Sequence, residues 1–339
     1  PATATTGEDI CAARAFQRSL FDAGLAGLSW PRESGGQGLP AAAESVYDTQ
    51  AADFPVPTAP LTLSLRICGP AVVEFGTDEQ RARHATATLK GEHVWCQLWS
   101  EPEAGSDLAA VRTRAVKTGS GDWIVDGQKI WTSNAHFSDF ALLLCRTDPS
   151  APKNKGLSML IVDMRLPGVT VRPLRQMTGA AEFNVVFLDN VRVPGDAILG
   201  EPGQGWPITT WMMGRERLSV TSAMRHPMSL EWAEVRAIAQ ASGREHDPLV
   251  RDRLTELWLQ ERANRLFATR LSQELAQGSA KPQLGSALKV CEAAVLRAAA
   301  ETAVLIAGED AVSWPADDPD SWPADDAGAL RFVSVGRAL

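Results

Sequence analysis

The stretch from Trp95 to Trp131 constrains this chain more than any other, because it sets two clusters of chemically awkward residues into a short segment that otherwise reads as sheet. The first, Leu98-Trp99-Ser100-Glu101-Pro102-Glu103-Ala104-Gly105-Ser106-Asp107, is an apolar strand that breaks into a Pro/Gly turn carrying hydroxyls and acids. Such a turn offers free backbone N–H groups. Further on, Asp126-Gly127 lies between Trp123-Ile124-Val125 and Lys129-Ile130-Trp131, a pattern that predicts a β-hairpin and places Trp131-Thr132-Ser133-Asn134 at the end of its returning strand. An aromatic plane beside small hydrogen-bonding side chains suits a flat heteroaromatic ring, which takes stacking on one face and donors or acceptors around its polar edge. A nucleobase or a core tryptophan accounts for it too. On the residues alone core packing is the favoured reading of Trp131, since most strand tryptophans are structural.

The segments Ser100-Glu101-Pro102-Glu103-Ala104-Gly105-Ser106-Asp107 and Asp126-Gly127-Gln128-Lys129-Ile130-Trp131-Thr132-Ser133-Asn134-Ala135 resemble, in order and in spacing, the paired signature of the acyl-CoA dehydrogenase family. The resemblance extends through Trp30-Pro31-Arg32-Glu33-Ser34-Gly35-Gly36-Gln37-Gly38 before them and Asn190-Val191-Arg192-Val193-Pro194 after them, and is weakest at both ends of the chain. It implies an α+β fold with an N-terminal helical domain, a central β barrel or sandwich and a C-terminal helix bundle, and FAD as cofactor.

Periodicity supports the same division. At 339 residues the chain exceeds the usual size of one core. From Glu8 to about Lys90 the pattern is helical, with Phe16, Leu20 and Ala23 at helix spacing and Thr77-Asp78-Glu79-Gln80 resembling a helix N-terminus. Short β runs follow at 141–145, 157–163, 169–173 and 184–188. Helices return from Gln204, with Leu254, Leu257, Leu266, Leu271 and Leu275 expected on one face, then Leu284, Leu288, Cys291, Val295 and Ile306 on another. The expected domains are 1–91, 92–200 and 201–339. A duplicated Ser-Trp-Pro-Ala-Asp-Asp hexapeptide, at 313–318 and 321–326, reads as a surface loop.

The net charge of −8, without a Lys/Arg-rich run, argues against a nucleic-acid surface, and no apolar run approaches bilayer-spanning length. Five scattered cysteines without a C-x-x-C pair read as reduced cytoplasmic thiols, with no metal site. Nothing at the start indicates export, and the absent initiator Met suggests a trimmed chain. Family members carry a longer N-terminus, and continue beyond the equivalent of Leu339 with a glycine-containing turn and a closing helix.

Carried over residue by residue, the resemblance implies that Gln97, Leu98, Trp99 and Ser100 present backbone and hydroxyl to the flavin's pyrimidine edge. Trp131 would stack near its ring, with Thr132 beside it and Ser133 hydrogen-bonding around N5. Ser106 would sit near the flavin pyrophosphate or the pantetheine arm. Taking hydrogens from the α and β carbons of an acyl thioester needs a water-shielded carboxylate to remove the α proton. In Met213-Gly214-Arg215-Glu216-Arg217-Leu218, Glu216 matches the position that carries this base in long-chain and branched-chain members. A glutamate beside an arginine early in a helix is otherwise a solvated ion pair or a dipole partner. Arg217 is the candidate to orient Glu216 or meet coenzyme A, with Arg225 a weaker alternative, while Glu101 and Asp107 are read as caps of backbone N–H groups.

The departures from the family are informative too. Homomeric members carry an Arg-x-x-Phe-Gly stretch and a Gln-x-x-Gly-Gly turn that reach a neighbour's flavin. Here Ala239-Gln240-Ala241-Ser242-Gly243-Arg244-Glu245 and Leu305-Ile306-Ala307-Gly308-Glu309 stand in their places. The expectation is therefore an acyl-CoA dehydrogenase acting as the base-bearing subunit of a heteromer. A second dehydrogenase-like chain is the expected partner, an electron-transfer flavoprotein the expected acceptor, and a bulky sterol-derived acyl group the suggested substrate. The alternatives are a non-catalytic structural subunit, or a flavin-dependent oxidase or monooxygenase on the same fold.

Overall fold

The structure, a computed structural model, describes residues 7–51, 54, 56–176, 181–219, 230–277, 279 and 281–308. The chain divides into two compact units, residues 2–176 with 180–219, and a second made largely of 220–339.

The first unit opens with helices α1 (Gly7–Asp22), α2 (Ala42–Ala51), α3 (Gly69–Phe75) and α4 (Asp78–Leu89). The start of α4 follows from its sequence: Thr77 accepts from the Gln80 amide, and the Gln80 side chain answers the Thr77 amide, a reciprocal cap of two otherwise orphaned donors. Gln80 also donates to the carbonyls of Asp196 and Ile198, each at 2.8 Å, which fastens α4 to the far end of the β region.

Among the described residues eight strands follow: β1 (Trp95–Leu98), β2 (Arg114–Lys117), β3 (Trp123–Ser133), β4 (Phe140–Arg146), β5 (Leu157–Asp163), β6 (Val169–Leu174), β7 (Phe183–Val193) and β8 (Ile198–Leu199). They pair in the order β6-β7-β3-β2-β4-β5-β8, with β1 parallel to β4 on a branch. β2 meets β4 at a single register, Arg114 to Arg146, so the sheet can fold over there. One core accordingly draws side chains from both halves: Trp123, Val125, Val186 and Val191 meet Leu98, Leu143, Leu160 and Val162. The β runs expected at 141–145, 157–163, 169–173 and 184–188 all lie inside observed strands. Helix α5 (Gly205–Ser219) closes this unit, burying Ile208 and Met212 against Leu144, Leu157 and Met159.

The hairpin expected at Asp126-Gly127 is absent. β3 runs through it without reversing, and its partner β7 shifts register between Val125 and Gly127, which is a bulge. Gly127 is there because a Cβ would lie 2.3 Å from Thr113 Oγ1 and 2.8 Å from its Cα. A close approach of backbones, not a tight turn, selects the glycine.

A histidine pair lies where the helices meet the sheet. His84 Nδ1 and His93 Nδ1 are 3.2 Å apart, and both rings pack on Phe140, at 4.8 and 4.7 Å. Such a bond needs one nitrogen to donate and the other to accept, so the rings cannot both be charged. Burial, then the neighbouring His93 and Arg83, lowers His84 from 6.5 to about 4, and burial lowers His93 as well. With the folded value below the unfolded one, the unfolded chain takes up the proton first as pH falls from about 6.5 to 4. Stability therefore declines through that window, by roughly 3 kcal/mol at its acid end, and is flat with respect to this group above it. Urea unfolding at pH 7 and pH 4 should show the wild type losing this much more than His84→Asn; equal losses would refute the assignment.

The second unit contains α6 (Trp232–Ala241), α7 (Pro248–Ala276) and α8 (Pro282–Ala307). Leu254, Leu257, Ala299, Ala303 and Ile306 form its core with Val235 and Ile238. Leu266, expected on the buried face, is instead 58% exposed. It lies nine residues from Leu257, half a revolution around the helix at 100° per residue. Cys291 is also exposed, on a flank of α8 beside the stripe that holds Leu288 and Ile306. No described helix is long and apolar enough to cross a membrane.

Candidate active site

The two motifs meet where β1 ends. Gln97 is half-buried, Leu98 and Trp99 are buried, and Ser100 begins a tight turn closed by paired backbone bonds between Glu101 and Ala104, at 3.1 and 3.0 Å. β3 passes beside this turn, and the Ile130 amide donates to the Ser100 carbonyl at 2.9 Å. That amide is free to do so because β3 breaks register with β7 a second time, between Lys129 and Thr132.

The second bulge also sets Trp131. Its φ is 60°, a left-handed conformation that a bulky residue occupies at a cost of about 1–3 kcal/mol. Its ring is 55% exposed, touching Phe183 edge-on at 5.8 Å, so Trp131 is not the core tryptophan that residue statistics favour. The alternation of a regular strand would have turned it toward the sheet's other layer. Thr132 then points inward at 2% exposure, its carbonyl accepting from Asn184 at 3.1 Å, and Asn184 also meets His136 Nδ1 at 3.2 Å. Ser133 is half-buried and Ser106 exposed.

A fully buried lysine joins the two motifs. Lys129 Nζ donates to the Trp99 carbonyl at 2.9 Å, to the Leu144 carbonyl at 2.8 Å and to Glu101 Oε1 at 2.8 Å. Glu101 accepts in addition from the amides of Arg112, at 2.6 Å, and Thr113, at 2.9 Å. Burial alone would raise the Glu101 carboxyl, but the Lys129 charge and these donors outweigh it and hold it below the ordinary value. Burial holds Lys129 below the usual lysine value. Capping of backbone amides by Glu101 is as expected from a turn carboxylate, whereas Asp107 pairs with Lys153 instead. The part played by Lys129 was not read from the sequence. The signal was present: it continues the inward-facing series Trp123, Val125, and a lysine on that face needs an acid.

Several buried polar atoms at this junction lack a hydrogen-bond partner: Gln97 Nε2, Trp99 Nε1 and Thr132 Oγ1. Most buried polar groups in folded proteins find a partner, and other unpartnered atoms here include Thr113 Oγ1 and Asn184 Oδ1 of the same region. Two donors and a hydroxyl left over on the motifs that also carry the exposed Trp131 ring fit a planar ring with a polar edge, and a flavin is such a ring.

Glu216 lies on α5, one turn beyond Met212, and is exposed within this chain. The described residues do not give it the shield from water that its expected role requires. Burial, then Cys96 and the Glu216 charge, raise the Cys68 thiol of the one-turn π-helix Ser64–Cys68 that leads into α3. Ser64 Oγ in turn accepts from the Trp95 amide at 2.8 Å, which links that π-helix to β1. Arg215 lies over the Trp211 ring at 5.1 Å and donates to the Arg66 carbonyl. The Arg217 side chain, Arg225 and the duplicated hexapeptide lie outside the described residues.

In the second unit the two segments that depart from the homomeric pattern prove to be neighbours. Arg244 Nη1 donates to the carbonyls of Leu305 and Ile306, at 2.6 and 3.0 Å, and its other nitrogen pairs with Asp247. Arg244 is thereby committed to capping the end of α8.

Known proteins carry the same plan. Models described as the N-terminal, middle and C-terminal domains of acyl-CoA dehydrogenase match residues 3–92, 96–191 and 203–325. Acyl-CoA dehydrogenase IpdE1 of Mycobacterium tuberculosis is 38% identical over 75% of this chain, which spans 66% of that relative's own length. The solved structure "Tcur3481-Tcur3483 steroid ACAD" is 28% identical with a TM-score of 0.79, over 99% of this chain and 84% of that one. The ChsE4-ChsE5 complex from Mycobacterium tuberculosis is 27% identical with a TM-score of 0.75, over 98% and 86%.

Proposed function

The chain belongs to the acyl-CoA dehydrogenase family, and on that premise we propose that it is the base-bearing subunit of a heterotetramer that converts an acyl-CoA thioester to its trans-2-enoyl-CoA, with FAD as cofactor. The observation that carries this reading is the junction of the two motifs, joined by the Ile130 to Ser100 bond, which carries the exposed, strained Trp131 and the unpartnered buried atoms of Gln97, Trp99 and Thr132. FAD, when bound, supplies the acceptor for the hydride leaving the β carbon.

In this proposal Gln97, Leu98, Trp99 and Ser100 hold the ring's polar edge with Thr132 and Ser133, and Trp131 covers a face. Glu216 removes the α proton as a carboxylate, and Arg217 orients it or meets coenzyme A. Ser106 serves the flavin pyrophosphate or the pantetheine arm. A second dehydrogenase-like subunit supplies the flavin contacts that the departures around Arg244 remove, and an electron-transfer flavoprotein takes the electrons onward. The likeness to a steroid ACAD and to a two-protein complex supports both the split assembly and a bulky sterol-derived acyl group. The three buried free thiols, Cys68, Cys96 and Cys145, are in keeping with a cytoplasmic setting. The exposure of Glu216 favours a second reading, a structural subunit without its own base.

The visible absorption spectrum tests this. Flavin is expected in the protein co-purified with its partner subunit and not in the chain alone, and anaerobic addition of a sterol-side-chain acyl-CoA should bleach it. Full flavin in the lone chain would overturn the split assembly. Flavin that no acyl-CoA bleaches would leave the structural subunit.

A further inference from the structure

We propose that Lys129 and Glu101 are positioning residues for the flavin ring: they fix the separation of the Ser100 turn from Trp131 before any ligand arrives. This rests on the flavin-site reading above.

The argument begins with what a buried ion pair does that an apolar pair would not. Lys129 is 0% exposed and Glu101 6%, so neither can touch solvent or a ring above Trp131, and simple packing could be had from leucine and methionine without removing two charges from water. What the pair adds is direction. An ammonium has three donors, and Lys129 spends them on the end of β1 at Trp99, on the turn at Glu101 and on β4 at Leu144. Glu101 passes the constraint on to the amides of Arg112 and Thr113, which lead into β2.

The adjacent residue completes the grip. Ile130, displaced from the β7 ladder by the bulge, bonds Ser100, so consecutive residues of β3 hold consecutive carbonyls, Trp99 and Ser100. Trp131 follows at once in its left-handed conformation. A bulky residue stays there only when the surrounding structure over-determines it, and here the clamp supplies that excess of restraint. The unpartnered Gln97 and Trp99 nitrogens lie on the same strand that Lys129 holds. The clamp therefore sets both the aromatic face and the polar edge of the candidate site, which is how a pre-organised site reduces the cost of ordering on binding.

The test uses the co-purified complex, stripped of flavin and titrated with FAD. In Glu101→Gln the FAD dissociation constant should rise roughly tenfold or more, with a shifted absorption maximum of the bound flavin. The double variant Lys129→Met/Glu101→Gln removes both charges together and should regain thermal stability without regaining tight FAD binding or the wild-type spectrum. In the flavin-free wild type the amides of Arg112, Thr113 and Ile130 should already be protected from hydrogen exchange. Folded variants with wild-type affinity and spectrum would overturn the proposal. So would exchange of those amides that slows only when FAD is added, a result that decides the matter even if neither variant folds. A wild-type complex that binds no FAD would instead sink the flavin-site reading, while the exchange measurement would still judge the clamp.

Discussion

Glu216→Gln in the co-purified complex should leave flavin content unchanged and lower acyl-CoA dehydrogenation about 10²–10⁴-fold, the range that a positioned general base contributes. Glutamine keeps the size and planarity of glutamate but loses its charge and its ability to take a proton. The side chain is exposed near the end of α5, and the core residues of that helix, Met212 and Ile208, lie one and two turns away. Unfolding should therefore move by no more than about 0.5 kcal/mol. The loss should appear in the rate at which substrate bleaches flavin in a single turnover, with little change in acyl-CoA affinity, because the proton is transferred only in the transition state. Unchanged turnover would remove Glu216 from the chemistry and leave the structural reading in possession. Neutral glutamine at this position should also lower the Cys68 thiol relative to wild type, since the Glu216 charge helps to raise it.

The sequence was most legible where one local rule acted alone. The Thr77 to Gln80 cap, the β runs from Ala141 to Leu188 and the family signature each needed only a few neighbouring residues to be read. It was least legible where a distant contact outvoted a local preference. Asp126-Gly127 carries the strongest short hairpin signal, yet the glycine serves the close passage of Thr113, thirteen residues before Asp126 in the chain. Trp131 reads as a core residue until the bulge that reverses its side chain is known, and that bulge depends on pairing with β7, more than fifty residues on. Leu266 is exposed for a different reason: on a long helix the angle between apolar residues, not their type, decides which are buried. The same holds for the site. Its residue types were visible in two short motifs, but the ion pair that holds those motifs together joins Glu101 to Lys129 and needs the fold to be seen. The exposure of Glu216 likewise depends on what packs beside α5, which no local motif encodes.

Lys129→Met should destabilise the full chain by about 3–5 kcal/mol at pH 7, the cost of leaving one member of a buried pair uncompensated. Methionine fills most of the space, so packing accounts for little of the loss. The Trp99 and Leu144 carbonyls lose their donor, and the Glu101 carboxylate, at 6% exposure, loses its cation while keeping the amides of Arg112 and Thr113. The effect has a distinctive pH dependence. In the wild type the Glu101 carboxyl is held below its ordinary 4.5, so its contribution to stability is complete above that value and is lost only as pH falls through the lower folded one. In the variant the same burial acts without the lysine charge and raises the carboxyl above its unfolded value. Protonation then stabilises the folded state as pH falls from 7 toward 5, where the wild type does not respond through this group. The difference between the two proteins should shrink across that interval, and Lys129→Met/Glu101→Gln, with no charge left to bury, should be more stable than the single variant at pH 7. Urea unfolding of the three proteins at pH 7 and pH 5 measures both expectations. A loss below about 1 kcal/mol, or one that does not change with pH, would mean that Lys129 is held by its carbonyl partners alone and that its charge is not what Glu101 answers.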